Sequence, residues 1–455
     1  MTVVRAGVRV AAFAVALCVG GQRLSAQHDM ASMPTPMPRV GATMISGTSW
    51  IPERSQSMRA FLWQENAWTL SAHGAASLTY DEQRTKRGDR QIGLIDWEMF
   101  MAARRVGSGR VELRAMTSLE PAVLGGNGYP ELLQTGGTFR HAVIHDRQHP
   151  HAAITELAVL IDQPVIPGTA LFVYAGMAGD PAAGPTPYMH RPSAEYDPLA
   201  PLGHHWQDAS HGSFGVVTVG AHTSTVQLEG SAFNAREADE THPVVDLRDA
   251  KLDSYSGRLS WAPASRFVVS SWWAYLSSHE RLDTSTRMHR YGASLMSAQS
   301  LGGERRLSST VIWGMNVHHH SGSSHLVLHG GPDASPHHHS SSLLAETNLG
   351  LGGGGEVFAR AERVQKSGEE LGFLGGDLTE LYDIRTVSGG AAKRIASGFA
   401  SDLLFGARAA VNVVPASLLA TYGTRTPFGL VVYLQLRPGT AGHGMAGAPA
   451  PGNQH

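Results

Sequence analysis

The sequence predicts an all-β chain closed into an up-and-down antiparallel barrel that spans a membrane, with about 16 strands (about 12–18) and long loops on one rim. Three observations carry this. Apolar and polar residues alternate with period two over long runs, the connections between runs alternate between short and long, and an export segment stands at the amino terminus with no later apolar run long enough for a spanning helix.

Composition narrows the function classes first. The chain has 455 residues and a formal net charge of −2, so clustered positive charge for a nucleic-acid backbone is missing and no nucleic-acid partner is expected. Charged residues are 16 % of the chain, below the roughly 25 % of ordinary soluble domains. The single cysteine, Cys18, lies in the export segment, so the mature chain has no thiolate with which to build a disulfide, an iron–sulfur cluster or a cysteine zinc site.

Residues 1–26 read as a signal peptide: Arg5 and Arg9 precede the apolar stretch from Val10 to Gly20, and Leu24-Ser25-Ala26 supplies a cleavage site. Residues 27–57, rich in Pro, Met and Ser, read as a mobile arm, residues 58–437 as the barrel, and residues 438–455, rich in Gly, Ala and Pro, as a tail. Cleavage after Ser25 instead of Ala26 would place His28 third, a geometry that encloses copper(II) or nickel(II) in a plane.

In the barrel, Val111, Leu113, Ala115 and Leu119 alternate with Arg110, Glu112, Arg114 and Glu120. Tyr255, Leu259 and Trp261 alternate with Ser254, Arg258 and Ser260, and Leu403, Phe405 and Val411 with Asp402, Arg408 and Asn412. Such runs are longer than the usual five or six residues of a globular strand and match a tilted bilayer crossing. Short connections fall at about 107–109, 164–168, 222–223, 263–265, 300–304 and 352–355. Long ones fall at about 81–90, 121–151, 181–212, 237–250, 279–287, 318–338, 368–378 and 415–427. That asymmetry assigns the short rim to the periplasm and the chain to the bacterial outer membrane, with membrane lipid and the barrel-assembly machinery as partners. Parity turns Trp97, Leu113, Trp261, Trp313 and Phe405 toward lipid and lines a water-filled lumen with Asp96, Glu98, Arg104, Glu112, Arg114, Arg258 and Arg408.

Histidine is the anomaly, with 24 residues, of which 16 fall in three long connections. These are His141, His145, His149 and His151; His190, His204, His205 and His211; and His318, His319, His320, His325, His329, His337, His338 and His339. Neutral imidazole is a common ligand of copper, zinc and nickel, so the candidate metal is copper or zinc, while no cofactor is required. The stretch 318–338 has a low-complexity composition that chelates without a preformed site. The other two connections mix His with Pro, aromatic and charged residues, and are long enough to fold inward. They are expected to meet in the barrel mouth and gather His145, His149, His151, His190, His204, His205 and His211 around one metal, or else to use those imidazoles to lock a plug through carboxylates such as Asp146, Asp197 and Asp208.

Several segments together resemble a poorly characterised family of bacterial outer-membrane barrel proteins: Gly47-Thr48-Ser49-Trp50-Ile51-Pro52, Ser118-Leu119-Glu120-Pro121, the run from Gly128 to Gly136, residues 146–151, His190-Arg191-Pro192-Ser193-Ala194 and Pro201-Leu202-Gly203-His204-His205-Trp206. The resemblance implies a barrel and an association with metal handling, copper in particular. The family carries Asp directly after His-Pro-His, where this chain has Ala152.

The reading of function is a porin-like channel or a metal-linked transport or resistance component. Two alternatives compete with it. One is a lipid-modifying enzyme using His211-Gly212-Ser213 as a His-x-Ser dyad, with Asn234 or Glu229 to orient the imidazole. The other is a soluble exported metal-binding β-protein.

Overall fold

The computed structural model describes residues 25–29, 42–55, 59–140, 142–208, 213–236, 251–277, 287–319, 337–373, 379–398 and 400–439. Residues 1–24 of the expected signal peptide, most of the carboxy-terminal tail, His141, His211, Gly212, His320, His325 and His329 therefore lie outside the described residues.

Sixteen antiparallel strands form the ring. They are β1 (Trp68–Arg84), β2 (Arg90–Val106), β3 (Gly109–Thr117), β4 (Ile154–Ile166), β5 (Thr169–Gly179), β6 (Ser213–His222), β7 (Val226–Asn234) and β8 (Ser254–Ala264). The second half comprises β9 (Phe267–Ser277), β10 (Arg287–Gly302), β11 (Arg305–His319), β12 (His337–Gly352), β13 (Gly355–Ser367), β14 (Leu381–Gly398), β15 (Ser401–Val413) and β16 (Phe428–Pro438). Each pairs with its neighbour in sequence, and β16 closes on β1 from Phe428 opposite Arg84 to Leu436 opposite Ala76. The strand Arg59–Glu65 continues the seam by pairing with the start of β1. The two classes of connection are present, and a further short connection joins β14 to β15.

Alternation shapes the wall. Leu113, Trp261, Trp313 and Phe405 are 42–50 % exposed on an apolar outer face, while Glu112, Arg114, Arg258 and Arg408 are buried on the inner one. An apolar belt of this extent requires lipid, which excludes the soluble alternative.

In β2 the parity is the reverse of the sequence expectation. Ile92 and Phe100 are exposed and Trp97 is 8 % exposed, so Trp97 points inward and Asp96, Glu98 and Arg104 belong to the outward register. The inner face of β2 carries Ile95, Trp97, Met99 and Met101, because it packs against inserted protein rather than water. Asp96 is nevertheless buried: β3 has ended beside it, and the segment that follows closes over its carboxylate through the Leu119 backbone N–H at 2.8 Å.

The lumen is not a water-filled space lined by these side chains. The segment 42–55, expected as part of a mobile arm, forms a small hairpin (Ala42–Met44 with Trp50–Pro52) inside the barrel. Thr48 there donates to Glu229 of β7 and accepts from Arg258 of β8 at 2.9 Å, and Gln227 donates to the Thr48 carbonyl at 2.8 Å. From the other rim, residues 180–208 fold inward and are almost wholly buried. The two insertions meet where Ser46 donates to Asp180 and Thr186 to the Trp50 carbonyl at 3.1 Å.

Candidate metal centre in the barrel mouth

Wall charges hold the inserted loop. Arg191 donates to Glu346 of β12 (2.7 Å) and pairs with Asp208 (3.3 Å), Asp197 receives Arg360 and Arg408 at 3.3 and 3.1 Å, and Glu195 receives Arg437 at 2.7 Å. Charges that the sequence places against water are thus neutralised by the plug, as buried charge requires.

The same wall positions the helical turn His204–Gln207. Glu362 of β13 accepts from the Leu202 and Gly203 backbone N–H groups at 3.2 and 2.9 Å, and the Trp206 indole donates to Ser340 at 2.7 Å. Gly314 of β11 lets this turn approach, since a Cβ there would stand 2.2 Å from the Trp206 carbonyl oxygen.

The other long connection contributes a hairpin, Tyr129–Phe139 paired with Ala142–Gln148, and then His149. Asp146 anchors it by accepting from the Leu133 backbone, from Tyr422 and from Arg87 at 2.8, 3.0 and 2.7 Å. Gly136 and Gly137, at φ of 115° and 73°, run beneath the imidazoles, and a Cβ on Gly136 would lie 2.3 Å from His205 Nε2.

The loops therefore bring together three of the seven expected histidines. One ligand atom from each of His149, His204 and His205 lies within 4.8 Å of the others, and the last two rings are 4.0 Å apart at their centroids. His204 Nδ1 donates to the Pro201 carbonyl at 2.7 Å and His149 Nδ1 to the Pro150 carbonyl at 3.1 Å. A carbonyl only accepts, so each ring carries its proton on Nδ1 and its lone pair on Nε2, the arrangement that second-shell partners impose on metal-ligating histidine. Burial, with His205 and His149 beside it, holds His204 well below the ordinary imidazole pKa, so it is neutral at pH 7.

Three of the others go elsewhere. His145 packs with Arg87 and Asp146, and His151 donates from Nδ1 to the buried Glu120 at 2.9 Å with Tyr188 Oη 3.2 Å from its Nε2. His190 lies deep in the lumen against Trp97, and His211 is outside the described residues. The two histidine triplets are largely strand rather than loop: His318 stands opposite His338 and His319 opposite His337 across β11 and β12. His318 is buried, and His339 is exposed opposite Val317. A residue missed in the sequence is His73, buried in β1; its signal was an inward parity shared with Ser71 and Ser77.

The lipid-hydrolase reading fails on access. Ser213 is 1 % exposed, whereas a serine that attacks a membrane lipid must open onto the bilayer.

No family model matches the chain, and no curated protein matches it in sequence. Among solved structures it is similar to OmpF of Salmonella typhi in complex with daunomycin, at 8 % identity and TM-score 0.49 over 83 % of this chain and 100 % of that one. It is also similar to an anion-selective porin of Comamonas acidovorans, at 9 % identity and TM-score 0.47 over 82 % and 99 % of the two chains. These likenesses concern the fold alone. Independently of them, the closed ring of 16 antiparallel strands with an apolar outer face makes the chain a β-barrel of the outer-membrane type. Its lumen is occupied by inserted segments, and a cluster of imidazoles stands at its mouth.

Proposed function

We propose that the chain is a metal-linked outer-membrane transport or resistance component that binds copper(II) or zinc through His149, His204 and His205. The observation that supports this reading is the convergence of three buried or half-buried imidazoles from two separate loops, with ligand atoms within 4.8 Å of one another. Three neutral nitrogen ligands suit a borderline dication and leave a position for an exchangeable fourth ligand. Because His149 follows the hairpin 129–148 while His204 and His205 belong to the inserted segment 180–208, a bound ion would tie that hairpin to the plug and couple metal occupancy to the state of the plug.

Calorimetric titration of copper(II) into the detergent-folded chain tests this, with the H149A/H204A/H205A variant as comparison. The reading expects the variant to lose one tight site while retaining the slower gel migration on heating that marks a folded barrel. An equal number of tight sites in both proteins contradicts it.

A further inference from the structure

Deeper in the lumen lies a group of residues that the mouth centre does not use. His73 of β1 and His190 of the inserted loop are 4 % and 0 % exposed, with ring centroids 5.6 Å apart in an edge-to-face arrangement. Neither nitrogen of either ring has a hydrogen-bond partner among the described residues. A buried polar atom left without a partner is destabilising, so four such atoms in one place call for an occupant. Burial holds His190 well below the ordinary imidazole pKa, with His73 and Arg114 acting in the same direction, so its lone pair is available at pH 7.

The surroundings define that occupant. Register sets His73 opposite Met99, Met99 opposite Met116, and Met116 opposite Glu156, so one inward row across β1 to β4 reads imidazole, thioether, thioether, carboxylate. Directly opposed side chains on one face are within contact range. Met99 and Met116 are buried in the same cluster as Trp97, and Met189, next to His190, packs against it. The Trp97 ring lies 5.5 Å from that of His73 and 4.6 Å from that of His190.

Thioether and imidazole in an apolar pocket are a soft, uncharged ligand set. A dication there would lack anionic compensation, since Glu156, the carboxylate of the row, already receives Tyr174 at 2.8 Å and faces Arg114 at 3.7 Å. A soft monovalent ion avoids most of that cost, and an indole face close by adds cation–π attraction.

We propose that His73 and His190, with the thioethers of Met99 and Met116, form a second, internal site for a soft monovalent cation, copper(I), distinct from the imidazole centre at the mouth. It stands on separate residues and survives if the mouth centre fails.

The test uses the folded chain carrying H149A/H204A/H205A, titrated anaerobically with copper(I) against a chromogenic copper(I) chelator, with silver(I) as a redox-inert probe. Copper-edge X-ray absorption reads the ligands. The proposal expects one retained copper(I) with both nitrogen and sulfur neighbours. M99L/M116L, which nearly conserves volume, should keep the barrel folded, remove the sulfur contribution and weaken binding at least tenfold. His190→Gln should weaken it comparably; if that variant does not fold, the methionine pair decides. No retained copper(I), as for a pocket that holds only water, overturns the proposal. So does binding with an unchanged sulfur signal in M99L/M116L, or zinc held as tightly as copper(I).

Discussion

Arg191 of the inserted loop and Glu346 of the wall are joined by an Nε–Oε1 contact of 2.7 Å between side chains 0 % and 1 % exposed. Glu346 also receives Arg360 at 3.0 Å and Ser193 at 2.9 Å, so one carboxylate ties plug to barrel and balances two guanidinium groups. Glu346→Ala leaves Arg191 with Asp208 and Arg360 with Asp197 but removes the carboxylate between them. An isolated buried pair that loses one partner costs about 3–5 kcal/mol, and the remaining carboxylates hold the loss to the lower end of that range. Denaturant unfolding of the detergent-folded chain should show a loss of that order. Stability unchanged from the parent would mean the loop is not seated as described.

Gly136→Ala tests the mouth geometry without touching a ligand. The new Cβ would meet His205 Nε2 at 2.3 Å on a backbone at φ 115°, so hairpin and imidazole cannot both hold their places. Copper(II) affinity at the mouth should fall by about tenfold or more while heat-modifiable gel migration persists. Unaltered affinity would remove His205 from the site.

The pH dependence has a definite sign. A histidine with a depressed folded-state pKa is neutral in the fold and protonated in the unfolded chain just below about pH 6.5, so its contribution to stability is complete above that value and is lost as pH falls toward the folded pKa. For His204 burial is the largest cause; His205, His149 and Lys366 add to it against the hydrogen bond to the Pro201 carbonyl, and its pKa lies well below 6.5. Proton competition at His204 therefore begins at lower pH than for a free imidazole. Copper(II) binding should persist to lower pH than it does for an unfolded control. His151 has the opposite sign: burial alone would lower its pKa, but the charge and hydrogen bond of Glu120 outweigh burial and raise it. Its stabilisation is present below about pH 6.5 and is lost as pH rises through the raised value. A copper affinity that drops from pH 7 with the profile of a free imidazole contradicts the assignment for His204.

Side-chain direction is open to lipid-borne quenchers. Trp261 and Trp313 are exposed on the outer face and Trp97 is 8 % exposed on the inner one. In single-tryptophan variants reconstituted with brominated lipid, the first two should be quenched strongly and Trp97 little. Equal quenching of all three would place Trp97 back on the lipid face.

The wall was legible in the sequence because a strand repeats every two residues and a membrane barrel sorts its connections by rim. Leu113, Trp261, Trp313 and Phe405 obey that pattern. β2 does not, because polarity indicates the inner face only when that face meets water. Trp97, Met99 and Met101 meet protein, so reading polarity as direction turned the strand over. Of the seven mouth histidines the sequence placed on one rim, loop composition could not say which three converge. That depends on Glu362 seating the turn His204–Gln207 and on Gly136 leaving room beneath His205. Residues 42–55 read as a flexible arm because their partners, Glu229 and Arg258, lie about 180 to 210 positions away in the chain, a separation no local pattern reports.

Residues 180–208 and 42–55 fill the lumen, and conductance in a planar lipid bilayer reads that filling out. The full folded chain should carry little steady current in metal-free salt solution, and a chain lacking residues 182–206 should form an open pore with a large, steady conductance. A full chain that conducts as well as the deletion variant would contradict the plugged barrel described here.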